Sequence, residues 1–518
     1  MDMELVKENI ECEQLLSEKY SDTVVRAEFL IPDTHPDVAK ILTIDTKAHI
    51  LNSEVIKDKV YVEGQAEYNI LYLGMEDGAL GVNSVKYINK FSNYIEIKEA
   101  EYKIICEAGC FVEHMECSIV NERKVSIEGI IKLKAELYKN YKFDVVKDIQ
   151  GSRDIQMLKN HSSVDKIFGN YLNDIVAKSN IKVSIDKPQI GEVLKCDTII
   201  RNSSVRLSGG KINVDGEAVI WVLYRGKDIK DISYLEDVVS FSREYDIEGV
   251  NPSMETYSDV LAEAVEFRIN EDDLGENRLL DVETLIKANV KVMYKEDIDM
   301  LEDAYSPENL MKMDKTECEL NVMHAQESCR TVIKGDIELR SEYPKVSKII
   351  MCSGDLMITD KKLVEDKVLA EGVLNVNLIC KNFEEEVFSI NEEIPFNSAI
   401  DIPGSKIDMQ CIVRGKLENM EAYVEVDHIS VKSSALLYAR VDYVTRKEFV
   451  VDVAVLEAEV QRKKSSIIIY VVQQGDTLWK VAKKYGTTIE GIMNVNNIDN
   501  EDMIRTGDKL IVPGRALI

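Results

Sequence analysis

The segment KVYVEGQAEYNILYL, residues 59–73, returns as KINVDGEAVIWVLYR at 211–225 and as KVLAEGVLNVNLICK at 367–381. Each copy opens on a lysine, sets apolar residues at alternate positions, places an acid–glycine pair at Gly64, Gly216 or Gly372, and runs on in a strand-like pattern. Val60, Val62, Tyr68, Ile70 and Tyr72 alternate in the first copy, and Ile212, Val214, Ile220, Val222 and Tyr224 in the second. Successive side chains of a strand point to opposite faces, so this pattern describes strands with one buried and one wet face. A glycine inside such a run marks a bulge or a close backbone approach.

A second landmark keeps the same register. PDVAKIL starts at Pro36, PQIGEVL at Pro188 and PKVSKII at Pro344, each proline about 28 residues ahead of its glycine. The unit therefore recurs at roughly 150 residues, far longer than a solenoid turn, and reads as a consecutive domain. Ser208-Gly209-Gly210 between two strand patterns reads as a hairpin turn. The echo KVSIEGIIKLKAELY at 124–138 gives the first domain two related halves. A mainly β chain of tandem antiparallel β-sandwich-like domains is expected, with domains at 21–150, 177–315 and 316–460. Leu5, Ile10, Leu15 and Leu16 among acids predict an N-terminal helix over 1–20. Ile167, Phe168, Tyr171, Leu172 and Ile175 predict a helical connector over 151–176. The basic, polar stretch QRKKSS, 461–466, reads as a flexible linker.

Composition narrows the class. A chain of 518 residues accommodates roughly three to five domains. Its 45% hydrophobic content is that of a globular protein. The net charge of −29 argues against nucleic acid or an anionic membrane as partner. No stretch reads as a transmembrane helix, and MDMELVKENIECEQLLSEKY lacks the pattern of a secretory signal. Ten scattered cysteines form no disulfide framework and suit a reducing cytosol.

The sequence carries no GxxxxGK[ST], no HExxH and no GxSxG catalytic signature. The six histidines are dispersed. Cys106, Cys110, His114 and Cys117 are ligand types that zinc accepts, but the spacing is not that of paired structural sites. On a strand Cys106, Cys110 and His114 share a face opposite Cys117, and small hydrophobes in a β core is the better reading. The runs Glu271–Asp273 and Glu384–Glu386 read as solvated loops. No catalytic residue, metal or cofactor is expected.

The tail YVVQQGDTLWKVAKKYGTTIEGIMNVNNIDNEDMIRTGDKLIVPG, 470–514, has a different grammar. A short strand leads through a Gly475 turn to a capped helix bearing Leu478, Val481, Ala482 and Tyr485. Gly486 ends that helix, Thr487-Thr488 opens a second, Asn496-Asn497 closes it, and Lys509–Pro513 forms a return strand. This βααβ order closely resembles a LysM domain, here 467–518, a module best known for binding N-acetylglucosamine polymers. The resemblance implies a sugar groove lined by Gly475, Asp476, Thr477, Leu478, Asn497, Ile498 and Asp499. The same residues read equally well as core (Leu478, Ile498) and caps. The second loop is acidic and lacks the proline of many glycan binders, which leaves room for a protein ligand.

Three repeats and a terminal LysM together resemble the SipL/SpoVID group of spore coat morphogenetic proteins, most closely the SipL type, whose repeats are SPOCS domains. The resemblance implies a non-enzymatic scaffold in the mother-cell cytoplasm, at the forespore surface. Its LysM domain would bind the basement-layer ATPase SpoIVA, and its repeats would recruit other coat proteins or self-associate. Trp479, Lys480, Lys483, Lys484 and Tyr485 on the first helix are the interface candidates, since aromatic anchors rimmed by charge dominate many interfaces. Binding of peptidoglycan in cortex or wall is the alternative.

Overall fold

Alternation over fifteen or more residues produces long strands, and here it does so in three copies of one six-strand plan. The computed structural model describes residues 3–76, 78–97, 104–151, 155–227, 231–339, 343–459, 467–500 and 503–513. The first unit comprises β1 (Glu4–Leu30), β2 (Val38–Ile56), β3 (Lys59–Glu76), β4 (Ala79–Glu96), β5 (Ile104–Asn121) and β6 (Lys124–Gln150). The second has β7 (Gln156–Lys182), β8 (Ile190–Ser208), β9 (Lys211–Gly226), β10 (Ile232–Asp246), β11 (Glu255–Glu271) and β12 (Asn277–Tyr305). The third has β13 (Asn309–Glu338), β14 (Val346–Val364), β15 (Lys367–Asn382), β16 (Val387–Asp401), β17 (Gln410–Val424) and β18 (His428–Glu459). In each unit strands two, three and four form an antiparallel meander, and strands one, six and five form a second antiparallel sheet. The sheets face one another, β2 on β5 and β1 on β4, and likewise in the other units. Each unit is thus a β-sandwich, and the expected fold class holds.

The quoted repeat is the central strand of each meander. Its glycine is required twice over. Gly64, Gly216 and Gly372 stand opposite Phe91, Phe241 and Phe396 on the next strand. A Cβ on Gly216 or Gly372 would lie 2.6 Å from the phenyl ring. On the other side the preceding strand carries a register shift beside each glycine, at Ile50/Asn52, Arg201/Ser204 and Ile358/Asp360. The proline landmark sits over the end of the same strand, where the hydroxyls of Tyr72 and Tyr224 donate to the carbonyls of Pro36 (3.2 Å) and Pro188 (2.9 Å). The echo at 124–138 lies in β6, in the other sheet.

Both expected helices are strands. Residues 4–20 belong to β1, which pairs with β6 along its whole length. Register shifts at Val6/Lys7 and Leu15/Ser17 bring Leu5, Ile10 and Leu16 inward although their spacing misses strict alternation. Residues 156–176 belong to β7 and pair with β12. Ile175 is buried there while Leu172 and Val176 face solvent, the signature of a pleat rather than a helix face. Glutamate- and leucine-rich sequence has helical propensity, but a waiting partner strand overrides it. The boundary placed at 315/316 falls inside β13; the third unit starts at Asn309. The expected linker at 461–466 lies outside the described residues.

The units close on one another in a ring. β4 contacts β8, β10 contacts β14, and β16 returns to β2. Where the meanders meet, Leu42, Leu73, Leu194, Trp221, Leu223, Met351 and Ile379 form one core drawn from all three units. Ion pairs cross the same seams: Asp45–Lys195 (3.0 Å), Lys47–Asp197 (2.5 Å), Arg225–Glu76 (2.9 Å) and Lys381–Asp231 (2.5 Å). At the far end the long outer strands converge into a stalk. Ile10, Val145, Met300, Leu320 and Phe449 share one cluster there, and Val146, Leu301 and Val450 another. Between the two closures lies a cavity of about 2230 Å³, lined from all three units.

Asp355 opens on that cavity. Enclosure by the cavity walls, reinforced by the nearby Asp45 and Asp197 carboxylates, pushes its carboxyl up to about 6 despite Lys195 and Lys47, although the residue itself is exposed to the cavity. The fold therefore favours the protonated form, and that contribution is complete below about pH 4 and lost as pH rises through 6. Solvent screening in the cavity discounts the effect, so Asp355→Asn is expected to raise Tm at pH 7.5 by about 1 °C or less and to leave it unchanged near pH 4, as differential scanning calorimetry at both values will show. Gly372→Ala, which forces a methyl between the Met357 carbonyl and the Phe396 ring, is expected to cost about 1–3 kcal/mol, read from the urea midpoint.

Candidate docking site

The tail folds as its turn chemistry requires. β19 (Ile467–Val471) pairs antiparallel with β20 (Lys509–Pro513), and α1 (Leu478–Tyr485) and α2 (Ile489–Asn496) lie between them. Gly475 takes φ 81°, a conformation that a side chain would strain. Thr477 caps α1, its hydroxyl accepting from the Lys480 amide at 3.2 Å, and Thr488 caps α2, accepting from the Gly491 amide at 3.0 Å. Gly486 and Asn497 close the helices in left-handed conformations. Leu478, Val481, Ala482, Ile492, Leu510 and Val512 make the core.

The groove residues divide by this geometry. Leu478 is fully buried, and the half-buried Ile498 joins the same core, so the two loops meet through apolar contact. Asp476 braces the first loop, accepting from the Tyr470 hydroxyl (2.5 Å) and the Gln473 amide (2.8 Å). Thr477 and Asn497 are caps. Gly475, Thr477, Asn497 and Asp499 remain exposed at the loop surface.

The five helix-face candidates also divide. Lys480 is exposed and donates to the Gly475 carbonyl at 2.8 Å. Lys484 lies over the rings of Tyr470 and Tyr485, 5.4 and 5.7 Å from their centroids, and these rings stack edge-on. Trp479 and Lys483 turn instead toward the end of β12. Trp479 is only 8% exposed. Its indole N–H donates to Asp303 Oδ2 at 2.9 Å, and its ring meets Tyr305 edge-on at 5.0 Å. Lys483 Nζ donates to both Asp303 oxygens, at 2.6 and 2.7 Å, and the Tyr305 hydroxyl donates to the Thr487 carbonyl at 2.7 Å. Two of the five residues expected at a partner are thus held by the chain's own second unit.

Sequence reasoning missed two features. Nothing local marks Asp303 or Tyr305, because their role depends on a module nearly two hundred residues away. The second had a signal. In Ile467-Ile468-Ile469-Tyr470-Val471 every residue is apolar or aromatic, yet a two-stranded sheet covers one face only. Ile467, Ile469 and Val471 accordingly point to solvent, joined by Ile511 on β20.

The cysteine cluster is resolved by a register shift. Cys106, Cys110, Met115 and Cys117 pack against the core of the first unit, while a shift between Val112 and His114 turns His114 outward. Burial pushes the thiols of Cys106 and Cys117 up to about 11 and that of Cys110 up to about 12. Thiols so placed are poor sources of the thiolate that a metal needs. Among the described residues no cluster of three or more His, Cys, Asp or Glu is arranged to hold a metal.

Three tandem β-sandwiches followed by a βααβ module define the class of this chain. Residues 37–120, 189–270 and 345–425 match the family described as SipL, SPOCS domain, and residues 470–513 match the LysM domain. The chain carries three SipL-type SPOCS domains and a C-terminal LysM domain. Each SPOCS match begins beside a landmark proline and runs through the fifth strand, leaving out the long first and sixth strands. Over 50 residues the chain is 44% identical to spore coat assembly protein ExsA of Bacillus cereus, covering 10% of this chain and 8% of that protein. It is 42% identical over 50 residues to SpoIVD-associated factor A of Bacillus subtilis (10% and 13%). In the LysM region it is 46% identical over 43 residues to the B. subtilis N-acetylmuramoyl-L-alanine amidase XlyA (8% and 14%). The chain spans a small part of each of these relatives. No solved structure matches it.

The Tyr470 hydroxyl, with the Gln473 amide, holds the Asp476 carboxyl below its ordinary value. The brace is present above that lowered value and is lost as pH falls through it. The Gln473 amide resonance is expected to titrate with a midpoint below about 3.9, and Tyr470→Phe is expected to move that midpoint upward.

Proposed function

We propose that this chain is a non-enzymatic assembly scaffold of the spore coat, docked at the forespore through its LysM domain. The SipL-group domain composition carries the reading, and the names of the ExsA and SpoIVD-associated relatives support it. The partner that the family resemblance points to is the coat basement-layer ATPase SpoIVA, met in the mother-cell cytoplasm. The LysM surface left open within the chain is chemically suited to protein. It offers the apolar strand face of Ile467, Ile469, Val471 and Ile511 and, on the helix side of the sheet, Lys480, Lys484 and Tyr485. An exposed apolar patch is the usual core of a protein interface.

The SPOCS units would recruit further coat proteins. They already meet one another within the chain, so recruitment falls to outward loops such as those bearing Ile185, Leu274 and Val426, which are almost wholly exposed. A second reading, binding of peptidoglycan, is favoured by the exposed loop residues Gly475, Asn497 and Asp499 and by the amidase match.

Capture of SpoIVA from sporulating-cell lysate by the full chain, with and without N-acetylglucosamine oligomers, separates the two. The coat reading expects sugar-indifferent capture, lost on truncation after residue 459 and reduced about tenfold or more by Ile469→Asp, a change worth roughly 1.4 kcal/mol or more. Failure to capture SpoIVA together with sugar-sensitive retention on peptidoglycan would overturn it in favour of glycan binding.

A further inference from the structure

The three units repeat one ion pair at the stalk, and the exception is where LysM sits. Val146 and Ile149 of β6, Leu301 and Ala304 of β12, and Val450 and Val453 of β18 share one cluster, which aligns the three strands. That alignment makes Asp148, Asp303 and Asp452 equivalent. The residues paired with Val146, Leu301 and Val450 are likewise all lysine: Lys7, Lys159 and Lys315. Asp148 of the first unit pairs with Lys159 of the second at 3.1 Å, and Asp452 of the third pairs with Lys7 of the first at 3.7 Å. Threefold logic assigns Asp303 to Lys315 of the third unit. Lys315 is turned instead to Glu448 on β18, at 3.3 Å. The carboxylate of Asp303 is taken by Lys483 and Trp479.

The aromatic neighbour is also particular to this seam. The residue two beyond the aspartate is Gln150 in the first unit and Ala454 in the third, and Tyr305 in the second. Only the second unit therefore offers a carboxylate beside an aromatic ring, and that ring, with Leu158, joins the LysM core.

We propose that the LysM module is a reversible latch on the seam between the second and third units. Docked, it holds Asp303 through Lys483 and Trp479 and covers the Trp479 side of α1. Released, it leaves Asp303 to Lys315, which closes this seam as the equivalent lysines close the other two. The two states compete for one carboxylate, so Lys315 opposes docking although its ion pair in the docked state is with Glu448. The latch depends neither on the coat reading nor on the identity of any partner.

Hydrogen exchange of the full chain, read at residues 478–487, tests this. Lys483→Ala and Asp303→Ala are each expected to speed exchange there about fivefold or more while protection of β3, β9 and β15 stays unchanged. Lys483 is half exposed, so its variant folds even where the Asp303 change disturbs the strand end. Lys315→Ala, by removing the competitor, is expected to slow exchange in the same segment about twofold or more. Unchanged exchange in Lys483→Ala would overturn the dock, and indifference to Lys315→Ala would overturn the competition.

Discussion

Three-way closure is the constraint on which the chain depends. A sandwich with three strands per layer is narrow, and its ends present apolar side chains that no strand of the same unit covers. Here each unit completes the others. One mixed core lies at the meanders, around Leu42, Leu223 and Met351, and another in the stalk, around Val145, Met300 and Phe449. The ion pairs that cross the seams are secondary in energy, because the cost of drying charges offsets much of their attraction. They fix which face meets which. The repeated glycine belongs to the same economy of space: with Phe91, Phe241 or Phe396 pressed on its bare backbone, each meander packs tightly enough to meet its neighbours.

Much of this was legible in the sequence, and the failures are specific. Alternation found the central strands, and identical Pro-to-Gly spacing gave the number of units. The long first strands were misread because Leu5, Ile10, Leu15 and Leu16 mimic helical spacing once bulges have disturbed the pleat. A bulge is set by the partner strand, so the segment alone does not announce it. The same physics misplaced His114, which a register shift turns out of the face its numbering predicts. Ring closure was invisible for a different reason. Leu42 and Ile379 carry no mark of their neighbours in space.

At the docking site the turn residues were transparent, because capping and left-handed turns have local causes. Gly475, Thr477, Gly486, Thr488 and Asn497 behave as their chemistry dictates. The use of the helix face was not transparent. Tryptophan and lysine on an amphipathic helix suit a foreign protein or a neighbouring domain equally well, and only the fold puts Asp303 and Tyr305 opposite them. The apolar strand face is the converse case: its excess of isoleucine was in plain view, and its exposure follows from the sheet having two strands and a single cover.

Covalent order gives the ring a direction in time. Chains emerge from the ribosome N-terminus first and tend to fold by domain, so the first two units meet early, while the seam from β16 back to β2 waits for residues more than three hundred positions later. Until then the stalk faces of β6 and β12 lack their third neighbour and leave Val145 and Met300 uncovered. The LysM module follows the third unit along the chain and docks on β12 of the second. It is therefore made after all three units, and a seated module is a record, carried on the surface, that the strands of the ring have already been synthesised.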